Sequence, residues 1–155
     1  MTNRLPNRKL STRLKFFSYK GPYAYSVTIC TCEKSPIFKI PKAVKTILDL
    51  LKEISTRYGF RLVAYCFMPD HLHLLVAGDK DSNLLKFIQT FKQVSSCRFR
   101  KNFGERLWQR GYYEHVLRAE ENLEKVARYI WGNPVRKGLV EHEEEYPFSG
   151  PEVIL

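Results

Sequence analysis

The stretch Phe67-Met68-Pro69-Asp70-His71-Leu72-His73-Leu74-Leu75-Val76 decides how the chain is read. Pro69-Asp70 is a turn pair, since proline presets one backbone angle and the aspartate side chain can bond its own backbone. The apolar run after it has strand length. Successive strand residues point to opposite faces, so His71, His73 and Leu75 share one face while Leu72, Leu74 and Val76 share the other. Two imidazoles on one face make an incomplete metal site. Paired histidines on a half-exposed strand also occur as hydrogen-bonded structural residues, so a third ligand and a reacting group must come from elsewhere in the chain.

Working outward, Phe60 to Met68 reads as the partner strand, and the turn makes the two an antiparallel hairpin. Before it, Val44, Ile47, Leu48, Leu51 and Ile54 recur at helical spacing from about Lys42 to Tyr58, and Gly59 ends that helix. Ala24 to Cys32 is β-branched and reads as a first strand after the Gly21-Pro22 break. After the hairpin, Leu84, Ile88, Phe91 and Val94 form the inward stripe of a second helix from about Asn83 to Arg100. The aromatic end of Leu107 to Arg118 suggests a fourth strand. A third helix spans roughly Glu120 to Gly132, closed by Pro134 through its effect on Asn133.

The order strand, helix, strand, strand, helix, strand, helix argues for an α+β fold. It is ferredoxin-like in plan: an antiparallel sheet with helices on one face and the histidines on the other. The length suits one domain, residues 1–155, with a basic N-terminal arm over about residues 1–22. Glu141, Glu143, Glu144 and Glu145 read as an acidic surface turn, and Tyr146-Pro147-Phe148 as an aromatic plug.

The net charge is +10, and its placement is uneven. Arg4, Arg8, Lys9, Arg13, Lys15 and Lys20 precede the first acid, Glu33, which suits an arm that follows phosphates; a solvated leader has the same composition. No apolar run approaches the ~18 residues of a membrane span, and none follows the charged start as in a secretion signal. A cytoplasmic protein is expected. Cys30, Cys32, Cys66 and Cys97 have neither zinc-site spacing nor disulfide density and read as reduced, buried thiols.

The third helix supplies what the histidines lack. Its packing stripe is Leu123, Val126, Ala127 and Ile130, and Tyr129 falls at the edge of that stripe with Lys125 and Asn133 one turn away on either side. If this edge faces the histidines, the Asn133 amide oxygen completes a set of two nitrogens and one oxygen suited to Mg²⁺ or Mn²⁺ on a phosphate. Tyr129 is then the natural nucleophile, with Lys125 as possible assistance in forming the phenolate, and the product is a phosphotyrosine. Tyr112 and Tyr113 sit on the fourth strand without an amide neighbour and read as structural, as do Trp108 and His115.

Asp70-His71-Leu72-His73, Trp108-Gln109-Arg110 with Tyr112 to Arg118, and Ala127-Arg128-Tyr129-Ile130-Trp131-Gly132-Asn133-Pro134-Val135-Arg136-Lys137-Gly138-Leu139-Val140 together closely resemble the REP-associated tyrosine transposases. These are single-tyrosine HUH transposases, and the resemblance runs from about Ala24 to Phe148. It implies the HUH endonuclease type of fold, with His71 and His73 as metal ligands, Asn133 as the polar third ligand and Tyr129 as the nucleophile. It also implies cleavage and transfer of single-stranded DNA through a 5′-phosphotyrosine with a free 3′-OH, on a hairpin flanked by a short guide. The N-terminal region would help bind that DNA, which gives Arg4 to Lys20 a role. Apart from the resemblance, Gln109, Arg110 and Arg118 are candidates for phosphate contact that the sequence does not decide. Relatives work as monomers or as dimers that exchange the tyrosine helix, and the short connection before the helix favours a monomer. The rival readings are a non-catalytic nucleic-acid-binding domain of the same fold and a histidine-based nucleotide hydrolase, the latter lacking a further histidine at Leu75.

Overall fold

The computed structural model describes Leu14, residues 16–118 and residues 121–151. Arg4, Arg8, Lys9, Arg13 and Lys15 of the basic arm lie outside the described residues. The elements are β1 (Ala24–Cys30), α1 (Pro41–Arg57), β2 (Phe60–Met68), β3 (His71–Gly78), α2 (Leu84–Phe103), β4 (Tyr113–Val116), α3 (Leu123–Trp131), α4 (Asn133–Arg136) and β5 (Ser149–Gly150). They form a five-stranded sheet in the order β4-β1-β3-β2-β5, antiparallel at every pairing. Its first four strands have the ferredoxin-like order, as the sequence leads one to expect.

Local chemistry sets the ends of the helices. α1 opens on Pro41, whose missing N–H costs nothing in a first turn, and ends before Gly59 at φ +76°. The Asn83 side chain caps α2 by accepting from the Lys86 amide at 3.2 Å. α2 runs three residues past Arg100, to the left-handed Gly104. Asn122 caps α3 at the Glu124 and Lys125 amides, so this helix starts at Leu123 rather than Glu120. The fourth strand is shorter than expected, because only Tyr113–Val116 pairs along β1, with an isolated bridge from Trp108 to Thr31.

α1 and α2 pack together on one face of the sheet, and α3 lies across part of the other, the face that carries the histidines. Tyr25, Val27, Ile29, Leu72, Leu74 and Val76 pack with Ile47, Leu51 and Ile54 of α1 and Phe87, Ile88 and Phe91 of α2. On the opposite face Ala64, Cys66, Met68 and Leu75 form a smaller cluster with Ala127 and Ile130 of α3. The physical reason lies in β2 and β3, which carry apolar side chains on both faces over much of their length. A bulge at Val63 puts it and Ala64 on the α3 side and brings Cys66 opposite His73 and Met68 opposite His71. α3 therefore covers the apolar part of the histidine face. The acidic turn and aromatic plug form as expected: residues 143–145 make a 3-10 turn, and the Tyr146 hydroxyl donates to the Phe67 carbonyl.

Leu74 is fully buried in the larger core. Leu74→Ala is expected to lower unfolding stability by about 2–5 kcal/mol, measured by urea denaturation.

Candidate active site

β3 places the two imidazoles where the sheet alternation puts them, and each ring is held from behind. His71 Nδ1 lies 2.6 Å from Asp70 Oδ1, and His73 Nδ1 lies 3.1 Å from Thr28 Oγ1 on the neighbouring β1. Both Nε2 atoms are thereby turned toward one another, 2.9 Å apart, with the rings edge to face. Burial, then the charges of His71 and Arg136, push the His73 pKa down to about 4, so this imidazole is neutral at physiological pH.

An open cleft of about 730 Å³ adjoins the pair, lined by Thr28, Cys30, Asp70, Lys34, Lys39 and Lys137 among others. The three lysines make it cationic, and none of them was singled out from the sequence. Lys34 enters on a turn where it and Glu33 have φ of 53° and 54°, a left-handed conformation that no sequence pattern announces. Lys137 follows Arg136 directly, in the run after Pro134 where a helix was not expected.

That run changes the tyrosine half of the site. Pro134 does not end the helical path but sits in the first turn of α4, because the missing proline N–H is tolerated there. Gly132 keeps helical angles between α3 and α4. Tyr129 is 63% exposed, whereas Asn133 is buried where α4 meets β2. Arg136 joins them: its Nη2 donates to the Tyr129 carbonyl at 2.5 Å and to Asn133 Oδ1 at 2.7 Å, and its Cζ lies 3.9 Å from the centre of the Tyr129 ring. Asn133 Nδ2 is buried with no hydrogen-bond partner among the described residues, which costs about 1–3 kcal/mol. Arg136 was legible as the residue three after Asn133 and seven after Tyr129, had the helix been carried past the proline.

The structure thus joins the two histidines and joins Tyr129 to Asn133, but it does not close the two halves on each other. Neither Tyr129 nor Asn133 lines the histidine cleft. Lys125 is exposed in the first turn of α3, its backbone amide on the Asn122 cap. Arg110 is exposed on a second cleft, of about 810 Å³, between α2 and residues 106–112. Its neighbour Gln109 donates its amide to the Cys30 carbonyl, at the histidine end of β1. Lys20 and Arg118 are exposed near Ala24 at the other end of that strand, roughly 20 Å away by strand rise. Of the cysteines, Cys66 is buried, Cys30 and Cys32 are partly buried and Cys97 is exposed, so the expectation of buried thiols fails at Cys97.

The histidine pair fits a divalent ion. Bonds of about 2.1 Å put adjacent ligands on one ion roughly 3 Å apart, which the Nε2 separation already matches. The bond each Nδ1 makes leaves the lone pairs of both Nε2 atoms available in one tautomer. Asn133 does not complete the set as it stands, since Arg136 occupies its oxygen. Among the described residues no cluster of three His, Cys, Asp or Glu forms a metal site.

A ferredoxin-like sheet with paired histidines on a central strand and a tyrosine helix across the same face has the fold of the tyrosine transposases. The family model described as "Transposase IS200 like" matches residues 20–133, and the chain belongs to this transposase family, a family of enzymes. A Haemophilus influenzae protein provisionally named a REP-associated tyrosine transposase is 30% identical over 152 residues, covering 90% of this chain and 85% of the relative. A REP-associated tyrosine transposase of Escherichia coli is 30% identical over 93 residues, 58% of this chain and 53% of the relative. In fold, the chain is similar to a REP-associated tyrosine transposase solved bound to a REP hairpin, with a TM-score of 0.71 at 20% identity over 90% of this chain and 82% of that one.

Because the His73 pKa is low in the folded state, the unfolded chain binds a proton that the folded chain refuses between about pH 6.5 and 4. Stability of the metal-free protein is expected to be undiminished by this group above pH 6.5 and to fall as pH drops through that window. Urea midpoints measured across it check this, with a flatter profile expected for His73→Asn.

Proposed function

We propose that this chain cleaves single-stranded DNA beside a hairpin and retains one cut end as a 5′-phosphotyrosine on Tyr129. The Tyr129 hydroxyl gives up its proton, its oxygen attacks the phosphorus, and the bond from phosphorus to the 3′ oxygen breaks to leave a free 3′-OH after proton uptake. The phosphodiester count is unchanged, so a 3′-OH of another strand can reverse the step without ATP. Lys125, one turn before Tyr129 on α3, is the residue proposed to assist loss of the phenol proton.

The observation that carries the reading is the His71–His73 pair, preset at ligand spacing in a member of the transposase family. His71, His73 and Asn133 are the residues that would hold a divalent ion, Mg²⁺ or Mn²⁺, which when bound supplies Lewis-acid polarisation of a phosphate oxygen. The proposed DNA path draws on Arg4, Arg8, Lys9, Arg13, Lys15, Lys20, Arg110 and Arg118. A hairpin substrate is supported by the REP hairpin in the solved relative. A monomer that uses its own tyrosine is supported by α3, whose Ala127 and Ile130 pack on the sheet of the same chain. No helix among the described residues is long and apolar enough to cross a membrane, and a cytoplasmic site of action suits a DNA substrate.

Incubation with a hairpin carrying a single-stranded flank, followed by denaturing electrophoresis, tests the reading. Tyr129→Phe is expected to reduce the covalent adduct on the order of 10⁴-fold or more while hairpin binding stays nearly unchanged, and chelation of divalent ions is expected to abolish the adduct. An adduct that survives Tyr129→Phe would show that another residue is the nucleophile.

A further inference from the structure

Arg136 makes contacts that a surface arginine does not need. Its guanidinium bonds the Tyr129 carbonyl and Asn133 Oδ1 and lies over the Tyr129 ring, and all three partners are neutral. No carboxylate stands within ion-pair distance of it among the described residues. A guanidinium is a planar fork of five donors that matches carboxylate or phosphate in two parallel bonds, so this one is short of its best partner.

Its place is built into the fold. A Cβ on Gly132 would stand 2.7 Å from Arg136 Nη1 and 3.3 Å from the Arg128 carbonyl and Glu143 Oε1, so the glycine leaves the room that the guanidinium uses. Arg136 is exposed, α4 packs against β2, and the next residue, Lys137, lines the histidine cleft. The guanidinium thus faces solvent on the tyrosine half, one residue from the cleft.

We propose that Arg136 is a ligand for a DNA phosphate and, through that exchange, the positioning residue for the nucleophile helix. Without DNA it occupies the Asn133 oxygen and covers the Tyr129 ring. A backbone phosphate offers it charge-assisted bonds in place of neutral ones and displaces Asn133 Oδ1 and the Tyr129 ring while the bond to the Tyr129 carbonyl stays, so that Asn133 Oδ1 is free to turn to the histidine pair and the guanidinium fork ties the nucleophile helix to the DNA. This rests on the reading of Tyr129 and Asn133 above.

The test uses the full chain and a hairpin with a single-stranded flank. Binding is measured across a salt series in the Tyr129→Phe background, where the DNA stays whole, with Arg136 intact and as Arg136→Lys, Arg136→Gln and Arg136→Ala. Losing one phosphate contact is expected to flatten the slope of log affinity against log salt by about 0.7 in the Gln and Ala variants, and Lys is expected to restore it. With Tyr129 present and DNA saturating, the Gln and Ala variants are expected to form adduct more slowly. Lys should recover that rate only in part, since an ammonium cannot hold two groups as a fork does. An unchanged salt slope, or an adduct rate at saturation that is unchanged or raised, would overturn the proposal. Should Arg136→Ala fail to fold by circular dichroism, the Gln and Lys variants decide. Absence of adduct from the unaltered chain counts against the proposed function instead, because the salt slope is read without cleavage.

Discussion

Strand β3 has no freedom in its register, and the rest of the molecule depends on that. Leu72, Leu74 and Val76 are fully buried between the sheet and the two helices α1 and α2. A slip of one residue would drive His71 and His73 into that core and turn three apolar side chains out, so the packing that stabilises the domain also fixes which face carries the imidazoles. The boundary on that face runs between the strands. α3 closes over Ala64, Cys66 and Met68 of β2 together with Leu75 of β3, while His71 and His73, paired with Met68 and Cys66, open on the lysine-lined cleft.

The second half of the site obeys a different constraint. α3 is attached to the sheet chiefly through Ala127 and Ile130, while Tyr129, between them in sequence, points away from the packing stripe. Pro134 removes one backbone donor from the helical path, and Arg136 spans the break by bonding the Tyr129 carbonyl on one side and the Asn133 amide on the other. A single guanidinium thus ties together the two segments that bear the candidate nucleophile and the candidate third ligand.

Much of this was legible because it follows from periodicity. The alternation in β3, the Pro69-Asp70 hairpin, the stripes of α1 and α2 and the succession of elements along the chain all follow from residue spacing, and Tyr129 and Asn133 stood out by their place beside the α3 stripe. What escaped depends on relations that spacing does not encode. The short α4 and the bulge at Val63 follow from tertiary packing rather than from the period of any one element. Pro134 looked like a terminator because a proline just after one helix and a proline in the first turn of the next have the same local sequence. Lys34 reaches the cleft only through two left-handed residues, and Thr28 backs His73 only through strand pairing.

The turn before the histidines is held from several directions. The Pro69 carbonyl accepts from the Phe38 amide, and the Asp70 carbonyl accepts from both the Thr31 amide and the Thr31 hydroxyl. These anchors come from the segment between β1 and α1 and involve nothing from α3 or α4. The hydrogen bonds that orient the imidazole pair are therefore all made without the tyrosine helix. The two halves of the candidate site are thus held by separate sets of bonds, one made by the sheet and the turns beside it, the other by the tyrosine helix and the segment that follows it.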